Sequence, residues 1–286
     1  MGSPVTSRPW RRVVVVAAAL LLSAGELRAQ TPQRLASLVP AATEVIFAIG
    51  AGERMVGVGD YAHYPPVVEA LPRLGGLVDP NLEAILAVRP DFVVIDPAQR
   101  SLAVQLEHLN IKVYTFATGS IQDMLDHVDA LGRELELVAD AARVVVAVES
   151  GLAAVTSSVA GRPRRRVLVV FGRRAGSFAE LWVSGGVGFL HDVIELAGGS
   201  NVFEDITRQG FKSGLEGVLA RAPDVVIEAV SEDSRVAAIR AEWQALPGFA
   251  GVQVVTIDSR WTLRPSPRIV QLASEVADAL HPERSR

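Results

Sequence analysis

The side chains that carry most enzymatic chemistry form no catalytic grouping in this sequence. The five histidines (His63, His108, His127, His191, His281) are scattered, and no two have the helical spacing of a metal pair. The chain has no cysteine, which removes thiolate metal sites, disulfides and a lipid-anchored cysteine. No Gly-x-Ser-x-Gly elbow is present. "GAGERMVG" (Gly50 to Gly57) begins like a dinucleotide loop, but Met55 stands at its third glycine position and a helix pattern, not a strand, precedes it. "SGGVGFL" (Ser184 to Leu190) is glycine-rich and opens a helix pattern without the Lys-Ser/Thr of a phosphate loop, so it retains only the capacity for weak anion binding. His63 is singled out because it lies in the proline-rich loop "GDYAHYPP".

One acidic pattern does stand out. "NLEAILAVRPDFVVI" (Asn81 to Ile95) returns as "GLEGVLARAPDVVI" (Gly214 to Ile227), with Leu, Glu, Leu, Ala, Pro, Asp and Val recurring 133 residues apart. Each copy reads as helix, Pro-Asp corner, strand. Each sets a glutamate, Glu83 or Glu216, in the first helical turn, where the helix dipole favours an anion. The pairing points to two related half-structures.

The elements around these phrases alternate. Strand patterns at Arg34–Val39, Met55–Val58, Phe92–Ile95 and Lys112–Phe116 are interleaved with helices at Thr43–Ile49, Leu82–Val88 and Leu102–Leu109. That rhythm predicts an α/β layer with a mainly parallel sheet. From Ser120 to Val159 no strand signal occurs. "ELELVADAARVVVAVESGLAAVTSSVAG" reads as one long helix, whose roughly 22 helical residues span about 33 Å. Alternation then resumes with strands at Val167–Phe171, Val225–Glu228 and Gln253–Ile257, and helices at Phe189–Leu196, Leu215–Arg221 and after Pro267. The expected division is signal peptide 1–29, first α/β lobe 30–136, linking helix 137–162 and second α/β lobe 163–286.

The 286 residues are 49% hydrophobic, too apolar for a disordered chain, and the formal charge of −4 gives no general attraction to nucleic acid. Arg8, Arg11 and Arg12 precede the apolar run Val13–Leu22, a length that fits a signal-peptide core and not a membrane span. Cleavage after Ala29, by the general secretory route, removes four Arg and one Glu and leaves a mature charge near −7. With no second apolar run, the mature chain is expected free in the periplasm.

Read in order, "VPAATE", "GDYAHYPP", "NLEAILAVRPD", the long helix, "VLVVFG", "ELAGGSNVF", "GLEGVLARAPD" and "RPSPRI" resemble the periplasmic substrate-binding proteins of ABC importers for iron complexes and cobalamin, with the cobalamin-binding members nearest. The resemblance spans nearly all of the mature chain. It implies two Rossmann-like α/β lobes joined by a single long backbone helix, a ligand held between the lobes, no enzymatic turnover, no resident cofactor or bound metal, and a monomer. It implies that Glu83 and Glu216 meet arginines of the permease subunits in the inner membrane. The implied ligand contacts are Pro40, Ala41, Ala42 and Tyr61 in the first lobe, and Trp182, Phe211, Arg260 and Arg264 in the second.

Some positions depart from the cobalamin-binding pattern. Leu77 and Asp96 stand where such members carry tryptophans, and Arg260 where they carry an acidic contact. Arg173, Arg174, Arg208, Lys212, Arg260 and Arg264 make the second lobe basic. This is either a solvated face or a seat for an anionic ligand, a ferric siderophore or heme, with Tyr61 or His63 as an axial iron ligand. The leading expectation is a cobalamin carrier, the alternative a ferric siderophore or heme carrier, and the third an enzyme on a Rossmann-like scaffold.

Overall fold

The computed structural model describes residues 31–231 and 235–285. The signal-peptide segment 1–29 lies outside the described residues. The first lobe contains β1 (Leu35–Ser37), α1 (Pro40–Ala48), β2 (Met55–Val58), α2 (Leu82–Ala87), β3 (Phe92–Ile95), α3 (Arg100–His108), β4 (Lys112–Thr115) and α4 (Ile121–Glu134). The helix α5 (Val138–Val159) follows. The second lobe contains β5 (Arg165–Arg173), β6 (Leu181–Ser184), α6 (Phe189–Leu196), β7 (Gly199–Asn201), β8 (Gly210–Ser213), α7 (Leu215–Arg221), β9 (Val225–Val230), α8 (Val236–Gln244), β10 (Gln253–Asp258), α9 (Ser259–Thr262) and α10 (Ile269–Leu280).

The first sheet is parallel throughout, in the order β2-β1-β3-β4. Its central strands are short apolar runs buried on both faces, as a helix-covered parallel sheet requires. The second sheet runs β10-β9-β5-β6-β8, with β7 beside β5. Here β6 lies antiparallel to both β5 and β8, so this sheet is mixed. The segments "LWVS" and "GFKS", four residues each, are not among the strands expected from the sequence. Helix α1 starts at Pro40, three residues before the sequence pattern, because proline is pre-set for the first helical turn.

The long helix also starts later than expected. Residues 134–137 do not belong to it: α4 ends at Glu134, and Glu136 takes a left-handed φ of 58° that turns the chain back. Two glycines set how closely the helices pack. A methyl on Gly132 would overlap the Ala141 side chain of α5, and one on Gly151 would collide with Val270 of α10. Ala141, Val148, Leu152, Val155 and Val159 form the buried stripe of α5.

The repeated phrase folds twice into the same corner. Arg89 and Ala222 close their helices with φ of 48° and 43°. Asp91 accepts hydrogen bonds from the backbone N–H groups of Gln33 and Arg34 (both 2.9 Å), and Asp224 from that of Arg166 (2.9 Å). Arg34 donates to the carbonyls of Val88 (2.7 Å) and Arg89 (2.8 Å), and Arg166 to those of Arg221 and Ala222. In each lobe an arginine and an aspartate thus tie the helix end to the neighbouring strand.

The two lobes are joined by more than α5. Glu44 on α1 is buried, and its carboxylate accepts from Ser266 Oγ (2.7 Å), Arg268 Nε (2.8 Å) and Arg268 Nη2 (2.6 Å). The Arg268 guanidinium lies 4.0 Å from the Tyr64 ring centroid and 5.3 Å from that of Trp261. Three motifs quoted above, "VPAATE", "GDYAHYPP" and "RPSPRI", therefore meet at one charge pair. Removing one member of a buried pair strands the other. Glu44→Ala is expected to lower the unfolding free energy by about 3 kcal/mol in urea titration; a loss under about 1 kcal/mol would mean that the pair does not hold the lobes.

Candidate functional site

The carboxyl ends of β1 to β4 open toward the second lobe, the usual position of a ligand crevice in a parallel α/β sheet. A cavity of about 240 Å³ lies there. Pro40, Ala41, Tyr61, Leu77 and Asp96 form its first-lobe wall, and the segment Leu263–Pro265 faces them. Leu263 also borders a second cavity of about 260 Å³, lined by Phe171, Val187, Phe189 and Gln209. Phe171 leads to a third of about 220 Å³, and Gly172 and Arg173 to a fourth of about 600 Å³ that includes Arg174 and Trp182. Only the first of these hollows is lined by both lobes; the third and fourth are lined by second-lobe residues alone.

The walls of the first two hollows are mostly apolar; the third is mostly polar, and the fourth mixes Trp182 with Arg173, Arg174, Ser177 and Glu180. Arg264 donates to the Tyr61 carbonyl across the cleft (2.8 Å). Burial pushes its guanidinium's pKa down from the ordinary value, and nearby Glu44 opposes that shift. An arginine stays charged in any case, so the first cavity holds a desolvated cation. The Tyr61 side chain is 63% exposed. Val78 (93% exposed), Leu77, Val187 and Trp182 add further apolar surface on the surrounding loops, which is unusual unless something covers it.

Pro40, Ala41, Tyr61 and Arg264 thus come together in one cavity, and Trp182 lines another. Three expected contacts line none of the four. Ala42 is wholly buried beneath its neighbours in the core. Phe211 is half-buried and packs edge-to-face on Phe203, with centroids 5.1 Å apart. Arg260 is turned onto Asp258, donating from Nε (2.9 Å) and Nη2 (2.7 Å), and those bonds hold the Asp258 carboxyl below its usual range.

The basic face is also smaller than the sequence implies. The Arg173 side chain is only 2% exposed; its Nε donates to Glu228 (2.8 Å), and its Nη2 is ion-paired with Glu242 (2.6 Å) without hydrogen-bond geometry. Lys212 pairs with Glu180 (3.0 Å) and lies over Trp182. His63 is bound to Glu69 (2.7 Å) and lines none of the cavities, whereas Tyr61 lines the first.

The glycines of "SGGVGFL" serve packing. Side chains at Gly185 or Gly186 would strike the backbone of residues 204–208. The N–H groups of Gly185, Gly186 and Phe189 are already donated to Gln209, Ile206 and Gly119 carbonyls, which removes three donors from the anion-binding reading. The loop instead presents Val187 to the second cavity. Sequence reasoning missed Val78, Phe171, Val187, Gln209 and Leu263. The signal for Val187 was an apolar residue between glycines.

The linker after β4 crosses between lobes. The Thr118 carbonyl accepts from Gln209 Nε2 (3.0 Å), and the Gly119 carbonyl from the Phe189 N–H (2.9 Å). His127 steadies this linker. Its Nδ1 lies 2.7 Å from the Tyr114 hydroxyl, its Nε2 lies 3.1 Å from both the N–H and the carbonyl oxygen of Ala117, and its ring stacks on Phe116.

A family model described as periplasmic binding protein matches residues 35–260. The Vitamin B12-binding protein of Salmonella choleraesuis (strain SC-B67) is 32% identical over 250 residues, covering 86% of this chain and 90% of that protein. Among solved structures, the periplasmic heme-binding protein RhuT from Roseiflexus sp. RS-1 aligns with a TM-score of 0.75 at 25% identity, over 88% of this chain and 99% of that one. The periplasmic Vitamin B12 binding protein BtuF of Vibrio cholerae aligns with a TM-score of 0.72 at 24% identity, over 90% and 99%.

Burial lowers the pKa of His127 from its ordinary 6.5. The folded protein therefore favours the neutral ring. The resulting stability is fully present above pH 6.5 and is lost as pH falls through the depressed folded value. The stability advantage of the wild type over His127→Gln, read from urea midpoints, is expected to shrink between pH 7.5 and 5; an advantage independent of pH would contradict this.

Proposed function

The chain belongs to the periplasmic binding protein family, and from that premise we propose that it captures a corrinoid, cobalamin or a near relative, between its lobes and delivers it to an ABC importer permease. The observation that carries the reading is the interlobe cleft. Tyr61, Leu77 and Leu263 offer apolar and aromatic surface to a broad flat ligand, while Arg264, Asp96 and backbone groups offer polar contacts at intervals. Large macrocycles are held by that combination of buried apolar area and few directed polar bonds. The 32% identity to a Vitamin B12-binding protein, over nearly the full length of both, supports the ligand class.

The protein acts as a carrier without turnover, exported to the periplasm by its N-terminal signal and working there as a monomer. Glu83 and Glu216 lie exposed in the first turns of α2 and α7, and are proposed to meet cationic side chains of the permease. Lobe boundaries near residues 136 and 163 put one glutamate on each side of α5.

A second reading takes heme or a ferric siderophore as cargo. It is favoured by Tyr61, an exposed phenol, and Arg264, a cation, lining the same cavity, groups suited to iron and to an anionic chelate, and by the likeness to a heme-binding structure.

Tyr61→Ala tests the cleft. Its side chain is largely exposed, so the urea midpoint is expected to stay unchanged, while cyanocobalamin affinity measured by equilibrium dialysis falls about tenfold, near 1.4 kcal/mol. Wild-type affinity in the variant would move the site elsewhere.

A further inference from the structure

The two helices that carry Glu83 and Glu216 share a second feature. Leu86 follows Glu83, and Leu219 follows Glu216, by three residues. Side chains at that spacing share one helix face. Both leucines are exposed, Leu86 at 36% and Leu219 at 40%, and neither joins a core cluster. Their chain neighbours Ile85 and Val218 are fully buried and anchor the helices. Helix formation alone does not call for leucine at an exposed position, because alanine, lysine or glutamine would serve about as well. Yet the same acidic–apolar pair occurs in both lobes, 133 residues apart. Neither glutamate is hydrogen-bonded or ion-paired among the described residues. Each helix end is tied down by the arginine and aspartate of its Pro-Asp corner, so the pairs are presented on fixed supports.

We propose that each Glu–Leu pair is a single docking unit, and that the two units fit a partner with two equivalent seats, each a cation beside an apolar socket. A permease with two-fold symmetry has that form, and family members work with ABC importer permeases. The inference rests on the docking reading of Glu83 and Glu216 and extends it. Exposed charges steer and orient an encounter but hold it weakly, whereas burying an apolar side chain slows release. Two leucines would therefore set how long the carrier stays on the permease.

The test is photo-crosslinking in the cell that makes the protein. Benzoylphenylalanine replaces Leu86 or Leu219, with the exposed valines Val104 and Val146 as control positions and Ala87 and Ala220 as flanking positions. Products are identified by mass spectrometry. Probes at Leu86 and at Leu219 are expected to label the same polytopic membrane subunit at least tenfold above the controls, and Glu83→Arg with Glu216→Arg to remove that labelling. Labelling only from Ala87 and Ala220, abolished by the charge reversal, would overturn the leucine seats and leave glutamate docking standing. No labelling of a membrane subunit from any of the four positions would overturn both. So would labelling that survives the charge reversal.

Discussion

The carboxylate of Glu44 is the constraint on which the cleft depends. It is the only charge between Val39 and Gly50, in a helix otherwise buried in the first-lobe core. A buried carboxylate must find donors, and the donors here are Ser266 and Arg268, more than 220 residues away. The same helix opens with Pro40 and Ala41 on the cavity wall, and Arg264 stands four residues before Arg268. One charge pair therefore sets the two walls of the first cavity against each other. The stacking of Arg268 near Tyr64 and Trp261 extends this grip to the loop that carries Tyr61.

Around that point further contacts join the lobes. Helix α5 is continuous over 22 residues, without proline. Close packing at Gly132 and Gly151 leaves no slack between it and its neighbours. The linker after β4 adds carbonyl bonds to the second lobe at Thr118 and Gly119, and the Ile121 N–H donates to Asp192 (2.8 Å). A ligand that needs more room must break identifiable bonds to obtain it. Small closures about a stiff helix are the motion such a scaffold allows.

Much of this was legible in the sequence because it rests on local rules. Buried parallel strands appear as short apolar runs, and helix ends show as Pro-Asp corners. The repeated phrase marks two halves. What stayed hidden was pairing at long range. Glu44 was quoted within a motif, but nothing near it in sequence names Arg268. Arg173 read as a surface charge because Glu228 and Glu242, which neutralise it, lie on other elements. Arg260 looked available until Asp258 was seen to hold it. Strands β6 and β8 escaped notice because their partners, not their residue pattern, make them strands. The cleft residues missed, such as Phe171 and Leu263, are ordinary apolar residues made functional by position alone.

The most direct measurement is calorimetric titration of the mature protein with cyanocobalamin, followed by heme and a ferric catecholate. One-to-one binding of cyanocobalamin near nanomolar, roughly −12 kcal/mol, with the iron complexes much weaker, is the expected result. It would mean that the cleft recognises a corrinoid despite Leu77 and Asp96. No heat with cyanocobalamin, and tight one-to-one binding of heme or the catecholate, would contradict the corrinoid assignment and make the pairing of Tyr61 with Arg264 the basis of recognition.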